Sequence, residues 1–190
     1  MAIKFGVAGT HSTGKSTLVA DLDVALTRRG LSVGRVGDLA KTARALGFPI
    51  LREHTFESTL WIMSHGISAQ LQVGLKNDVV LVDRPALDAV GYLWAALQYR
   101  KEQLSSAHEQ YLLALAACDA ATYCVLCKTE LDPEIPLGPE RDKDSAFRVA
   151  AGEQIAAVFS RIELSPRTVI VGASFVEELA SELEKAVRVA

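Results

Sequence analysis

Eight residues near the start of the chain combine two glycines, several hydroxyl side chains and a lysine at fixed spacing. They read Gly9-Thr10-His11-Ser12-Thr13-Gly14-Lys15-Ser16, which fits the pattern G-x-x-x-x-G-K-[ST]. Glycines let the backbone turn tightly, so that its N–H groups can surround an anion. A lysine at this position can reach the β- and γ-phosphates of a nucleoside triphosphate, and the serine hydroxyl can bind Mg²⁺.

The elements predicted on either side of this loop are those that phosphate binding requires. An apolar strand is predicted at Ile3–Ala8, and a helix from Lys15 to about Arg29, ending at Gly30. The first turn of a helix has unpaired N–H groups and a partial positive charge, and both attract anions. We therefore predict that one continuous segment binds the nucleotide, through Gly9, Thr10, His11, Ser12, Thr13, Gly14, Lys15, Ser16 and Thr17.

A second candidate group stands at the end of another apolar run. Asp78-Val79-Val80-Leu81-Val82-Asp83 is typical of a buried parallel strand that ends in a carboxylate at the edge of the sheet. In phosphate-loop enzymes an acidic residue at such a place holds Mg²⁺. Ser16 and Asp83 are therefore the predicted metal ligands.

Two further charges follow Asp83 closely. Arg84 offers a fixed planar cation suited to phosphate or ribose oxygens. Pro85 then begins a helix from Ala86 to about Tyr99, with Asp88 in its first turn. Asp88 could belong to the site or be only a favourable charge at a helix start.

Another carboxylate is predicted at the end of the second strand. Leu31–Val36 reads as that strand, Gly37-Asp38 ends it, and a short helix follows from Leu39 to Leu46. Ligands bind at the carboxyl ends of the strands in an open α/β sheet. Asp38 is therefore either a site residue or an N-cap of the short helix.

The rest of the chain continues the alternation of strands and helices. Helices are predicted at about 55–75, 106–117, 144–162 and 175–187, and strands at 121–126 and 168–171. Such alternation predicts an α/β fold with a five-stranded parallel sheet between two layers of helices. The stretch 128–148 is rich in proline and charge, and loops this long are often active-site lids. Its candidate cations are Arg141, Lys143 and Arg148.

Composition limits the classes of protein to which the chain can belong. It has 190 residues, which suits a single domain over 1–190, and 49% of them are hydrophobic. With 20 basic and 23 acidic residues, the net charge is −3, so nucleic acid is not an expected partner. We see no apolar run that could span a membrane and no signal peptide, and expect a cytoplasmic protein. The apolar helix 86–99 could be core or the face of a homodimer.

The three cysteines indicate neither a disulfide framework nor a metal site. The chain has three cysteines, Cys118, Cys124 and Cys127, and an odd number of cysteines does not form a framework of disulfide pairs. Cys124-x-x-Cys127 lies on a predicted strand, where residues three apart point to opposite faces. We interpret the pair as structural.

Several stretches together resemble a known group of proteins. They are G-T-H-S-T-G-K-S-T, G-D-L-A-K-T-A-R, L-G-F-P followed by T-F-E-S-T-L-W-I, and V-D-R-P-A-L-D-A-V-G-Y. In these the chain is similar to the AAA_28-type P-loop proteins over residues 3 to about 160. That group is related to the nicotinamide riboside kinase domain of NadR and, more distantly, to thymidylate and deoxynucleoside kinases.

The resemblance implies a P-loop kinase-like fold with a lid, and phosphoryl transfer from ATP·Mg²⁺ to a nucleoside or nucleotide. Asp38 occupies the place of the acidic residue that contacts or deprotonates the acceptor hydroxyl in that group. Arg84 matches the arginine of the D-R motif, and Arg141 in Gly138-Pro139-Glu140-Arg141 matches the lid arginine. The implied catalytic residues are Lys15, Asp38, Arg84 and Arg141.

Two other functions stay open at this point. A regulatory ATPase would need a residue that positions water, and no glutamate follows Asp83 on its strand. A protein that senses a nucleotide without phosphorylating an acceptor would need only the loop. A GTPase does not fit, because Cys127-Lys128-Thr129-Glu130 departs at both ends from the guanine-binding motif [N/T]-K-x-D.

Overall fold

The computed structural model describes residues 2–37, 39–130, 144–169 and 173–190. Five strands and seven helices are assigned within these ranges, and a 3₁₀ turn at Leu51–Glu53 lies between the second and third helices. The strands are β1 (Ile3–Ala8), β2 (Val33–Val36), β3 (Val79–Asp83), β4 (Val125–Lys128) and β5 (Arg167–Thr168). The helices are α1 (Lys15–Arg28), α2 (Leu39–Ala45), α3 (Phe56–Gly74), α4 (Ala86–Arg100), α5 (Ser106–Ala120), α6 (Ser145–Arg161) and α7 (Ala173–Val189).

The strands form one parallel sheet in the order β2-β3-β1-β4-β5. Val7 of β1 is paired with Asp83 at the end of β3, and Val36 at the end of β2 is paired with Val82. The carboxyl ends of the three strands therefore lie side by side at one edge of the sheet. The predicted five-stranded parallel sheet of an α/β fold is confirmed.

Both faces of the sheet are covered by helices, which gives three layers. Val79 and Leu81 of β3 pack on the side of α1 and α7, in a cluster that includes Leu22 and Leu179. Val80 and Val82 point to the opposite face, toward α3. A strand that is buried on both faces needs apolar residues at consecutive positions, which explains the run before Asp83.

Helix α4 lies inside the helical layer on the second face. A cluster of buried residues joins its Leu87, Val90 and Leu93 to residues of α5 and α6. Gly91 makes the contact with α6 possible, since a Cβ there would lie 2.5 Å from Ile155 Cγ1 and 2.8 Å from the Ile155 backbone. Helix α4, which the sequence left open as part of the core or as a dimer face, therefore packs in the core of this chain.

The fourth strand begins later than predicted. Helix α5 continues to Ala120, where Asp119 in its last turn accepts a hydrogen bond from the backbone N–H of Ala86 at 3.2 Å. Cys124 therefore precedes β4 and is exposed, whereas Cys127 is buried in the strand. No cluster of three or more His, Cys, Asp or Glu side chains that could hold a metal ion occurs in the described ranges, so Cys124 and Cys127 belong to none there.

The boundaries of two other strands differ from the predicted ones by a few residues. The second strand starts at Val33 because Gly30 and Leu31 still close the end of α1, through bonds from their N–H groups to Thr27 O and Leu26 O. The last strand covers Arg167–Thr168, and residues 170 and 171 of the predicted strand lie outside the described ranges. Among the described helices, none has the length and apolar composition needed to cross a membrane.

Candidate nucleotide-binding site

The loop between β1 and α1 turns through left-handed backbone conformations. The φ angles are 137° at Gly9, 57° at Ser12 and 82° at Gly14. A side chain at Gly9 would also collide with Thr129 beyond β4, because a Cβ would lie 2.2 Å from its hydroxyl oxygen. Gly14 is the N-cap of α1 and has no side chain to occupy the first N–H groups of the helix. Those groups are therefore available to an anion.

Lys15 lies folded over this loop. Its side chain is buried, and the ammonium group donates to the carbonyl of Thr10 and, at 3.1 Å, to the hydroxyl of Thr13. The cation is thus held at the centre of the turn. A phosphate oxygen that entered the loop would meet it there.

Ser16 and Asp83 are brought together by the pairing of β1 with β3. The Ser16 hydroxyl donates to Asp83 Oδ2 at 2.6 Å, although the residues are 67 positions apart. The other carboxylate oxygen, Oδ1, is buried without a hydrogen-bond partner among the described residues. Hydroxyl and carboxylate oxygens are ligands that Mg²⁺ prefers, and a buried oxygen without a partner suits a cation. The two predicted metal ligands therefore fit a magnesium ion.

Arg84 connects β3 to the loop. It adopts a φ of 75°, and its guanidinium donates to Gly9 O at 3.2 Å and to the Tyr92 hydroxyl at 3.3 Å. The guanidinium carbon also lies 5.3 Å from the centre of the Tyr92 ring. Arg84 is half-buried beside the loop, and it lines the cavity described below.

Asp88 lies in the same group of charges as Arg84 and Lys15. The sequence left undecided whether it was a site residue or only a charge at the start of a helix. Both of its carboxylate oxygens accept from the Gly9 N–H, at 3.2 and 3.1 Å, and Oδ2 lies 3.5 Å from Arg84 Nη1. Burial raises the pKa of Asp88 to about 7, while Arg84 and Lys15 act in the opposite direction. The only signal in the sequence was the position of Asp88 in the first turn of the helix after Pro85, which suits a site residue and a helix-start charge equally.

Arg148 contacts the loop from α6. Its guanidinium is buried and donates to His11 O at 3.1 Å and to Ser12 O at 3.0 Å. The sequence offered Arg148 as one of three lid cations. In this structure it joins the first turn of α6 to the backbone of the phosphate loop.

A cavity of about 650 Å³ opens at this edge of the sheet. Residues 11–17 of the loop line one part of it, with Asp83, Arg84 and Asp88. The rest is lined by the end of β2, by α2, by the segment around the 3₁₀ turn and by α3. Glu57 and His65 of α3 are exposed and lie outside its lining.

Three predicted site residues lie outside the described residues. Asp38 is one, and Arg141 and Lys143 are the others. Their predicted roles stay predictions. The nine residues predicted to bind the nucleotide, Gly9 to Thr17, are all described, as are Asp83 and Arg84.

Comparisons with known proteins find likeness in structure alone. No protein-family model and no curated protein matches the sequence. Deoxyadenosine kinase from M. mycoides superposes with a TM-score of 0.66 at 12% identity, over 96% of this chain and 100% of that one. NadR protein in complex with NR gives 0.64 at 15% identity, over 100% of this chain and 52% of that one. Thymidylate kinase from Candida albicans gives 0.63 at 14% identity, over 99% and 92% of the two chains.

At sequence identities this low, the structural likeness establishes the fold, and it does not establish the activity or the substrate. The strand order, the loop after β1 and the layered arrangement agree with that fold. The chain has the P-loop fold of nucleoside and nucleotide kinases.

Proposed function

We propose that the chain is a single-domain kinase that transfers the γ-phosphoryl group of ATP to a small acceptor, a nucleoside or a nucleotide. The observation that carries the proposal is the Ser16–Asp83 pair beside Lys15, at one side of a cavity of about 650 Å³. The cavity continues past the loop to β2, α2 and α3, which leaves room for a second substrate. A hydrolase needs space only for water.

Ser16 and Asp83 would hold the magnesium ion. A magnesium ion held there would supply positive charge against the negative charge that develops on the phosphates. Asp83 Oδ1 supplies a buried acceptor oxygen without a partner among the described residues, and the Ser16 hydroxyl lies 2.6 Å from Oδ2 of the same carboxylate.

The loop and Lys15 would bind the phosphates of ATP. The N–H groups at the start of α1 point to the anion, and Lys15 exchanges the Thr10 carbonyl for a phosphate oxygen. Phosphoryl transfer requires mainly alignment and stabilisation of negative charge. Arg84 adds a cation at the wall of the cavity.

The acceptor would enter from the side of β2. Asp38 follows that strand, and we propose that it orients the attacking hydroxyl of the acceptor or takes its proton. Arg141 is the proposed lid cation. Structural neighbours support this class of acceptor, since one is a deoxyadenosine kinase, one binds NR and one is a thymidylate kinase.

The test is the rate of ADP release from ATP·Mg²⁺ with a panel of nucleosides, nucleoside monophosphates and nicotinamide riboside. We expect one acceptor to raise the rate strongly, and Lys15→Ala to abolish the increase. Lys76→Ala is the matched control, because Lys76 is exposed and away from the cavity. ADP release that no acceptor changes would favour an ATPase or a nucleotide sensor instead.

A further inference from the structure

His54 is a polar side chain in an apolar part of the cavity wall. It is 3% exposed and lines the cavity together with Leu51 and Ile62. Burial, with Arg100 and Arg84 nearby, lowers its pKa to about 4, so the imidazole is neutral near pH 7. A neutral imidazole has one nitrogen that donates a hydrogen bond and one that accepts, and in a buried place each needs a partner.

The backbone around His54 is held by helix α4. The Arg100 guanidinium donates to the carbonyl of His54 at 2.9 Å and also to the carbonyl of Arg52. Leu51 has a φ of 59°, in the left-handed region that residues other than glycine seldom adopt. The imidazole is therefore placed at the cavity by a strained turn that is tied to the core.

Ser58 determines which of the two ring nitrogens carries the hydrogen. Its Oγ atom accepts from the Thr55 N–H at 3.0 Å, and it lies 3.1 Å from the Thr55 carbonyl oxygen and 3.2 Å from His54 Nδ1. A serine hydroxyl has one hydrogen and a carbonyl oxygen can only accept, so the contact with the carbonyl uses that hydrogen. All three contacts are hydrogen bonds only when Nδ1 carries the imidazole hydrogen and donates it to Ser58. Nε2 is then the nitrogen that accepts.

Nε2 of His54 is available to a molecule in the cavity. It has no hydrogen-bond partner among the described residues, and it is not fully enclosed by protein. The open space that His54 borders is the cavity. The imidazole ring lies 6.0 Å from the ring of Tyr92, whose hydroxyl contacts the His11 nitrogen of the phosphate loop. Nε2 therefore offers one hydrogen-bond acceptor to a molecule bound beside that loop.

We infer that His54 is a specificity-determining residue, whose Nε2 accepts a hydrogen bond from an uncharged donor of the second substrate, either a sugar hydroxyl or an N–H group of a base. The inference rests on the proposed kinase function and deepens it. A neutral imidazole among apolar neighbours suits an uncharged part of the substrate rather than its phosphates. A molecule without a donor at this point leaves Nε2 buried without a partner, so the site discriminates against it.

The experiment measures initial rates of ADP formation with ATP·Mg²⁺ and the nucleoside, nucleoside monophosphate or nicotinamide riboside that raises the rate most. Analogues of this parent substrate, each without one donor, are measured beside it. They have a 2′-deoxy or 3′-deoxy sugar, or a base whose N–H is methylated or whose amino group is replaced by hydrogen. We expect one analogue to have a KM about fivefold to tenfold higher than the parent with the wild type. The identity of that analogue distinguishes a sugar hydroxyl from a base N–H.

His54→Phe keeps a ring and removes Nε2. It should raise KM for the parent substrate by about the same factor, leave KM for ATP unchanged, and weaken that one analogue no further. His54→Gln, which again offers an acceptor atom, should recover part of the loss. Ser58→Ala keeps the imidazole but not the partner of Nδ1, and should show the same pattern at smaller amplitude, so the inference can be tested even if His54→Phe does not fold. His65→Phe is the control, because His65 is exposed on α3 and outside the cavity lining.

The outcomes separate the inference from the proposed function. An unchanged KM for the parent substrate in His54→Phe, or a rise by the same factor for the parent and every analogue, would overturn the inference and leave the kinase in place. An equal rise in KM for ATP would show that His54 acts through the fold, and would also overturn it. If no second substrate raises ADP formation with the wild type, the proposed function itself fails, and the inference fails with it.

Discussion

The Tyr92 hydroxyl lies 3.1 Å from the backbone nitrogen of His11 and 3.1 Å from its Nδ1 atom. It also accepts from Arg84 at 3.3 Å. A tyrosine hydroxyl accepts two hydrogen bonds and donates one. With the His11 N–H and Arg84 as donors, its own hydrogen is left for His11 Nδ1 or for the Thr10 hydroxyl oxygen, which lies 3.4 Å away. One hydroxyl on α4 thus fixes the backbone of the phosphate loop and the position of the neighbouring arginine.

Tyr92→Phe should weaken nucleotide binding more than it weakens the fold. Removing the hydroxyl leaves the His11 N–H and Arg84 without this acceptor, and a lost hydrogen bond of this kind costs about 1 kcal/mol. We expect a fivefold to tenfold higher Kd for MgATP, on the order of the same energy. Isothermal titration calorimetry measures it, with Tyr111→Phe as the control because Tyr111 is exposed on α5. An unchanged Kd would show that the hydroxyl does not position the loop.

Asp83→Asn should raise the Mg²⁺ requirement without destabilising the protein alone. The amide keeps the shape of the side chain and removes the charge on a site whose Oδ1 has no partner among the described residues. We expect the Mg²⁺ concentration for half-maximal ATP binding to rise by at least about tenfold, the equivalent of one charge-assisted contact. The thermal unfolding temperature without ligand should not fall.

The control for that measurement is Asp21→Asn, since Asp21 is exposed on α1 and outside the cavity lining. Equal Mg²⁺ curves for Asp83→Asn and the wild type would remove Asp83 from the proposed metal site.

Asp88 should make stability depend on pH in a defined direction. Burial raises its pKa from 3.8 in the unfolded chain to about 7, so the folded state binds the proton more tightly. Its contribution to the free energy of unfolding therefore falls as pH rises from about 4 to 7, by at most about 1.4 kcal/mol per pH unit. Asp88→Asn removes this dependence.

Urea unfolding of the wild type and of Asp88→Asn at pH 5, 6, 7 and 8 measures this pH dependence of the free energy of unfolding. The stability of Asp88→Asn relative to the wild type should increase with pH and level off above about pH 7. Asp21→Asn should show no such trend. A relative stability that decreases with pH would mean that the carboxylate, rather than the carboxyl group, is the form that the fold favours.

Arg148→Ala should destabilise the protein and loosen the loop. The change leaves the carbonyls of His11 and Ser12 without their donor in a buried setting, and hydrogen bonds to a charged group contribute about 1.5–3 kcal/mol. We expect a loss of about 2 kcal/mol in the free energy of unfolding and a higher Kd for MgATP. Arg161→Ala, at the exposed end of the same helix, is the control. Equal stability of the two variants would contradict the proposed tie.

Several features of the site could be predicted because they depend on residues close together in the chain. The phosphate loop is one continuous segment, and its glycines, lysine and serine identify it without knowledge of the rest. Asp83 could be predicted at the same edge because an apolar run buried on both faces indicates a strand, and parallel strands end together. The alternation of elements was enough to predict the five-stranded parallel sheet.

Only the tertiary structure decided the partners that come from distant parts of the chain. Asp88 was equally well explained as a charge at a helix start, and only the packing of α4 against β1 places it on the Gly9 N–H, 79 residues away. Arg148 was a candidate lid cation, yet the packing of α6 on α4 brings its guanidinium to the loop carbonyls. Local patterns determine which elements form, because they set backbone conformation and buried faces. Which polar groups meet depends on register and on how closely the elements pack, and these follow from contacts throughout the core.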